Sequence, residues 1–363
     1  MPELYALPDH VVVDDLLPGI GSSRLRTAEA IDRITANRGI VPLAINHHDG
    51  GSIYWGDIGT HAYREWQYMF TVQNLADRGE IKDPFVTGMD VLKSDDIVAD
   101  SLSPAGLIFH ISRCGSTLLG KALARTEHHI VVNQGGPLQR GFWAWLTDDF
   151  KIEAEPTDEN LAMFRRLVGA MTRPRAGVET ASFMKFISWN ALYMDFVHRA
   201  YPDTPTLFLY RDPVEVIASV LKETTAVLVA KDHRQAEFLT GRGQAEIAKM
   251  SDVEFLAICF ARYFNVALSR KGDVKMLNYT SINAGHFPDI VELGLEYTAD
   301  PADVPVMLEQ FNFHSKDDGD GARFKADSAD KQKAISAKDR QLIEKQCAGL
   351  VDRLDASPYN VFK

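Results

Sequence analysis

Cysteine is scarce in this chain: three residues, Cys114, Cys259 and Cys347, among 363. Three scattered thiols cannot build a disulfide framework or a four-ligand zinc site, and they fit a reducing compartment. Basic residues are in deficit, 39 against 50 acidic ones, for a net charge of −11. That balance argues against broad nucleic-acid binding, which needs a basic face, although a single anion pocket needs only a few aligned donors. No apolar run approaches the roughly 20 residues of a membrane helix. The start, MPELYALPDHVVVDD, lacks the basic head and apolar core of a signal peptide. Internal repeats, low-complexity tracts and metal-ligand spacings are missing as well. What is left is an ordinary globular composition, 45 % hydrophobic and 25 % charged. A cytoplasmic enzyme is the expectation, with no membrane or nucleic-acid partner and with a homodimer left open.

The pattern along the chain divides near residue 100. Residues 1–100 read as a small α+β unit without an interpretable motif. Ser22-Ser23 fits the cap of a helix running to Asn37, IVPLAI and SIYWGDI read as strands, and Tyr63–Ala76 reads as a helix with Trp66, Met69, Phe70 and Val72 inside. Lys93–Pro104 is polar, ends in proline and suits a linker. Residues 101–363 then alternate. Apolar runs at Leu107, Ile130–Asn133, Ala181–Ser188, Thr206–Tyr210 and Val274–Tyr279 are separated by helical patterns, of which Asp252–Arg270 is the longest. Alternation of this kind implies a parallel sheet flanked by helices, with ligands beyond the carboxyl ends of the strands. Ser315–Lys333 reads as a mobile polar loop, and Ser336 with Asp339 fits a capping box before a last helix to Leu354.

The most informative stretch is GLIFHISRCGSTLLGKALART, Gly106–Thr126. It reads as a buried strand, a polar loop and a helix, a local plan that aims backbone N–H groups and a helix dipole at one anion. Two registers compete for that anion. A Walker A pattern, GxxxxGK with a following hydroxyl, nearly fits Gly115 to Ala122. It lacks the final Ser or Thr and puts Leu118 and Leu119 in the phosphate cradle. The other register centres the cradle on Ser112–Thr117. Arg113 supplies a cation there, Gly115 a close approach, and Ser116 and Thr117 hydroxyls. A Gly-Ser-Thr turn with no ligand is the plain alternative. TLFLYRDPVEVIASVL, farther along, ends a strand at Arg211, opens a helix at Pro213 and carries Ser219 eight positions beyond Arg211. Arg211 can fork onto a phosphate or simply pair with a nearby carboxylate.

Together, Arg113-Cys114-Gly115-Ser116-Thr117 and the Arg211-Asp212-Pro213 opening with Ser219 resemble sulfotransferases that use 3′-phosphoadenylyl sulfate (PAPS). The form FHxxxCxSTLL looks like a bacterial branch of that family. The resemblance spans roughly residues 105–355. It implies a P-loop NTPase-like α/β fold, PAPS as co-substrate, its desulfo product PAP, and no metal. It also implies a 5′-phosphosulfate cradle of Arg113, Cys114, Gly115, Ser116, Thr117 and Leu118, with a 3′-phosphate clamp of Arg211 and Ser219. Arg113 and Lys185, the latter at the end of the third strand, are the candidate catalytic cations for sulfuryl transfer to a hydroxyl or amine of a small-molecule or peptide acceptor.

The chain departs from the family at the general base. After the second strand stands Asn133-Gln134-Gly135-Gly136-Pro137, with no Glu, and the position two beyond Lys185 is Ile187 rather than His. His110, His128, His129, Glu179 and His198 remain as loose candidates. A helix-start position beside Arg113 would lower the pKa of Cys114, although a small residue filling a tight loop is the preferred reading. The acceptor is expected near Gly135–Trp145, where Phe142, Trp143 and Trp145 either offer stacking surface or fill the core, and near the insert Thr224–Met250. The alternatives are a kinase-like phosphotransferase using Mg²⁺-ATP, and a nucleotide-binding regulatory protein that has lost its base.

Overall fold

The computed structural model describes residues 9–270, 272–313, 332 and 334–363. Its centre is a five-stranded parallel sheet of β4 (Pro104–His110), β5 (His129–Asn133), β6 (Ala181–Lys185), β7 (Thr206–Tyr210) and β8 (Lys275–Asn278). The spatial order is β5-β6-β4-β7-β8. Every residue of β5, β6 and β7 is buried, as continuous apolar runs in a sheet covered on both faces require. Among the helices are α1 (Asp9–Leu16), α2 (Thr27–Ala36), α3 (Tyr68–Asp77), α4 (Ser116–Leu123), α5 (Trp143–Leu146), α6 (Asp158–Met171), α7 (Met194–Ala200) and α8 (Pro213–Lys222), with Asp252–Ser269 the longest. The fold is therefore α/β, with a helix-flanked parallel sheet, as the alternation implies. β5 and β6 lie on one side of β4, and β7 and β8 on the other. The carboxyl end of β4 is thus the point where strand order reverses, the place where such sheets hold ligands.

A second, antiparallel sheet contains β1 (Ile40–Asn46), β2 (Ser52–Asp57) and β3 (Lys82–Gly88). β1 and β2 match their sequence patterns, but β3 has no such signal. Its segment KDPFVTG carries Pro84 and two charged residues, features of an edge strand. Its pairing also explains a shorter helix nearby. The helix expected from Ser22-Ser23 begins only at Thr27. Before it, the Val86 N–H donates to the Ser23 carbonyl and the Leu25 N–H to the Val86 carbonyl, which holds that segment extended beside β3. The helix expected over Tyr63–Ala76 is α3 (Tyr68–Asp77), in which Met69 and Val72 are buried as expected, while Phe70, and Trp66 just before the helix, are half-exposed.

The expected linker, Lys93–Pro104, is a packed strap. Ile97 is fully buried, and the Leu102 N–H donates to the Thr172 carbonyl at 3.1 Å. Asp100 accepts from Arg173 Nε at 2.9 Å and pairs with Arg38. Arg173, itself buried, also donates to the carbonyls of Ile34 and Asn37, which ties the strap and the N-terminal unit to the end of α6. One continuous hydrophobic cluster runs through both sheets. Helix α6 is a further element without a sequence-based expectation, although Thr157 caps it and Leu161, Phe164, Leu167 and Met171 form its buried stripe. The last helix breaks at Gly349, φ 66°, into Ala337–Cys347 and Leu350–Asp355. Ser336 Oγ accepts from the Asp339 N–H, the expected cap. The segment 315–333 falls outside the described residues except for Gln332.

Candidate functional site

The site forms where β4 stops. His110 ends the strand, and the chain turns through Ser112 (φ 84°), Arg113 (φ 50°) and Gly115 (φ 82°) before α4 begins at Ser116. Successive positive-φ residues curl the backbone into a concave nest whose N–H groups favour an anion. The first N–H groups of α4 add to it. A helix start leaves such donors without intrahelical partners, and no side chain caps this one. A side chain at Gly115 would place Cβ 2.9 Å from Ile282 Cδ1 and 3.2 Å from Tyr279 Cδ2. Glycine thus serves twice, for its positive φ and for letting the segment after β8 close onto the loop.

Arg211 supports the cradle from the neighbouring strand end. It lies 98 positions from Arg113 in sequence, yet its Nη1 donates to the Arg113 carbonyl at 3.3 Å. Its guanidinium lies 4.0 Å over the Tyr279 ring, a cation–π contact that steadies a nearly buried charge. It also forks onto Glu215 Oε2 through Nε at 2.7 Å and Nη2 at 2.5 Å. The plain alternative for Arg211, pairing with a carboxylate, is therefore realised, and it coexists with a position against the cradle. Asp212 accepts from the N–H groups of Val214 and Glu215 and so caps α8. Ser219, 8 % exposed, lies two turns along α8.

Arg113 follows an unexpected course. Its side chain leaves the cradle for the end of α8, where Nη2 meets Glu223 Oε2 at 2.6 Å and donates to the Glu223 carbonyl at 3.1 Å. The Glu223 N–H in turn donates to the Ser219 carbonyl. Arg113 and Arg211 thus meet at one loop, with Arg113 turned toward Glu223, one helical turn beyond Ser219. Thr117 and Leu118 are half-buried at the start of α4 and Ser116 is buried.

Lys185 ends β6 beside β4 and is 1 % exposed. Its stem passes Gly120 of α4, where a Cβ would lie 3.1 Å from Lys185 Cδ. Burial and the nearby Lys185 ammonium push His110 well below the ordinary histidine range. The Ser112 N–H donates to His110 Nδ1 at 2.9 Å, which leaves the proton of the neutral ring on Nε2. In that tautomer the ring offers a donor and no lone pair to an acceptor's proton, so His110 does not suit the role of base.

The other candidate bases are committed elsewhere. His128 Nδ1 pairs with Asp303 at 2.8 Å. His129 opens β5 and bridges the Leu123 carbonyl and the Tyr297 hydroxyl. Glu179 accepts the N–H groups of Arg175, Ala176 and Gly177. His198 faces Asp273 at 3.8 Å. Neither His128 nor His129, at the amino end of β5, lies at the carboxyl edge of the sheet.

Cys114 is the small residue of a tight loop that the sequence reading prefers. It is fully buried with Sγ 3.5 Å from the Leu209 carbonyl oxygen. Burial pushes its thiol up to about 11, against the smaller pull of neighbouring backbone N–H groups and cations. The thiol is protonated at neutral pH and fills space under the loop. The Walker A register also fails on geometry. Lys121 is the sixth residue of α4, about 7.5 Å along the axis from Ser116, with Ala122 after it. No group of three or more metal-ligating side chains occurs among the described residues, and no described helix is long and apolar enough to cross a membrane.

The residues that sequence reasoning missed, Glu215, Glu223 and Tyr279, act through contacts distant in sequence from the motifs, except for Glu215, which is one helical turn from Arg211. Comparison with protein-family models finds no match, and comparison with curated proteins finds none either. Among solved structures the chain is similar to the crystal structure of sulfotransferase STF9 from Mycobacterium avium. The TM-score is 0.45 and the identity 11 %, over 80 % of this chain and 87 % of that chain. That likeness concerns the course of the backbone.

Proposed function

We propose that the protein is a PAPS-dependent sulfotransferase. The observation that carries the reading is the meeting of its two motifs: Arg211 donates to the carbonyl of Arg113 across adjacent strand ends. The residues fit the donor. The uncapped start of α4 and the Ser112–Gly115 nest suit a 5′-phosphosulfate, and Arg211 with Ser219 suits a 3′-phosphate. PAPS supplies the sulfuryl group, so the chain's own task is to position it and to stabilise charge on the departing nucleotide. Arg113 and the buried Lys185 are the cations assigned to that charge.

In this reading the Glu223 pair holds Arg113 until donor phosphates compete for the guanidinium. Arg113→Ala is expected to lower turnover by at least about tenfold, the worth of one charge-assisted hydrogen bond, while PAP affinity falls less. Parallel loss of both, measured by steady-state kinetics and calorimetry, would remove Arg113 from the transition state.

A second reading is favoured by one observation: none of the five candidate bases faces the cradle with a lone pair to offer. On that reading the chain binds the nucleotide and transfers nothing. Incubation with PAPS and a panel of phenols, alcohols and amines, followed by chromatographic detection of PAP and sulfated product, decides between them. Acceptor-dependent PAP release supports transfer. PAPS that binds and stays intact with every acceptor leaves the binding protein.

A further inference from the structure

The two strands that lead to the Arg211 clamp end in step. Tyr210 of β7 pairs with Asn278 of β8, and each is the last residue of its strand. Arg211 follows the first and Tyr279 the second, so their cation–π contact stands one residue beyond that register pair. A single oxygen atom joins the pair. Asp355 Oδ1 accepts from the Tyr210 hydroxyl at 2.7 Å and from Asn278 Nδ2 at 2.9 Å. Burial, and then the Asp355 carboxylate, hold the Tyr210 hydroxyl above the usual tyrosine range, so it remains a donor at neutral pH.

Asn278 passes the constraint on. Its Oδ1 accepts from the Thr280 N–H at 3.1 Å and from the Thr280 hydroxyl at 3.0 Å, which closes the turn Tyr279–Ser281. That turn sets the Tyr279 ring 4.0 Å beneath the Arg211 guanidinium. A Cβ at Gly115 would meet the same ring at 3.2 Å. Asp355 is held in its turn by the end of the chain. It closes the helix Leu350–Asp355, whose Leu354 is fully buried. Asn360 Nδ2 donates to the Tyr210 hydroxyl at 2.9 Å and to the Leu354 carbonyl at 3.3 Å. Met276 of β8 donates its N–H to the Tyr359 carbonyl and accepts from the Val361 N–H, each at 2.9 Å. This backbone pairing seats the chain end on β8, and with it the carboxylate. Arg211 has other ties, to Glu215 and to the Arg113 carbonyl, but neither of those fixes the ring beneath it.

We propose that Asp355 is a positioning residue of the donor site: through the Tyr210–Asn278 pair it sets the Tyr279 ring, and through the ring the direction of Arg211. The consequence for PAP rests on the sulfotransferase reading; the placement of Arg211 does not. Asp355→Ala is expected to weaken PAP binding in calorimetry by at least about threefold, as residues of one hydrogen-bond network couple. Asp355→Asn keeps an oxygen able to accept both bonds and should return affinity to within about twofold of the unaltered protein. In an Arg211→Ala background Asp355→Ala should cost less than about twofold, because the group it acts through is gone. A residue that only braced the fold would give equal losses in both backgrounds. A second readout needs no nucleotide. The ring current of Tyr279 shifts the NMR signals of the Arg211 guanidinium, which are identified by their absence in Arg211→Lys. Asp355→Ala should move them toward the ordinary arginine position, and Asp355→Asn should keep them in place. Unmoved signals or unchanged PAP affinity in Asp355→Ala would overturn the proposal, as would equal PAP losses with and without Arg211. An unaltered protein that binds no PAP, with Arg211 signals that still move in Asp355→Ala, would instead overturn the donor reading and leave Asp355 as the residue that places Arg211.

Discussion

Gly115→Val is expected to abolish PAP binding and to destabilise the fold by about 2–4 kcal/mol, combining a non-glycine residue forced to positive φ with overpacking. The first branch atom alone would meet Ile282 at 2.9 Å and Tyr279 at 3.2 Å, with φ at 82°. Relief requires either the loop to leave its left-handed turn or the segment after β8 to back away. The first dismantles the nest of N–H groups, and the second removes the ring beneath Arg211. Urea denaturation separates the stability loss from the binding loss, because binding is measured well below the unfolding transition. A Gly115→Val protein that bound PAP at full affinity would show that the nest is not the phosphate site.

Arg211→Ala is expected to weaken PAP binding by tenfold or more, since a hydrogen bond to a charged group is worth about 1.5–3 kcal/mol. It removes the donor to the Arg113 carbonyl and the cation over Tyr279, and it leaves the Glu215 carboxylate, 14 % exposed, without its guanidinium. Stability should fall as well, because a nearly buried carboxylate loses its counter-charge. Two further variants separate the effects. Arg211→Lys keeps the charge but not the fork and should recover affinity only in part. Glu215→Gln releases the guanidinium from its carboxylate and should leave PAP affinity unchanged or higher. If Arg211→Ala matched the unaltered protein in calorimetry, the guanidinium would be a structural tie of α8 and nothing more.

The central sheet was legible because its strands are short, mostly apolar runs separated by helical patterns. Both motifs were legible for a related reason: a strand end, a polar loop and a helix start are adjacent in sequence. The Asp212 cap and Pro213 mark the start of α8 as plainly as Gly115 marks that of α4. What escaped depends on partners far along the chain. β3 carries Pro84 and stands as a strand because β2 pairs with it. Ser23–Leu25 became extended through hydrogen bonds to Val86. The strap before β4 looked like a linker because its composition is polar, and Arg173, distant in sequence, turns that polarity into packing.

At the site itself, local pattern gave the residue types and not their directions. Arg113 stands where the cradle needs a cation, but Glu223, 110 positions away, decides where its guanidinium rests. Cys114 shows the same division. A helix start with a neighbouring arginine suggests an acidic thiol, while its closure beneath Leu209 gives a thiol raised to about 11.

The most direct test of the donor assignment is calorimetric titration of PAP into the protein in EDTA, with ATP in EDTA and ATP with Mg²⁺ as parallel titrations. The account predicts saturable PAP binding without metal, because backbone N–H groups and Arg211 supply the charge complement, and far weaker binding of ATP in either condition. Tight Mg²⁺-ATP binding with no heat from PAP would contradict it.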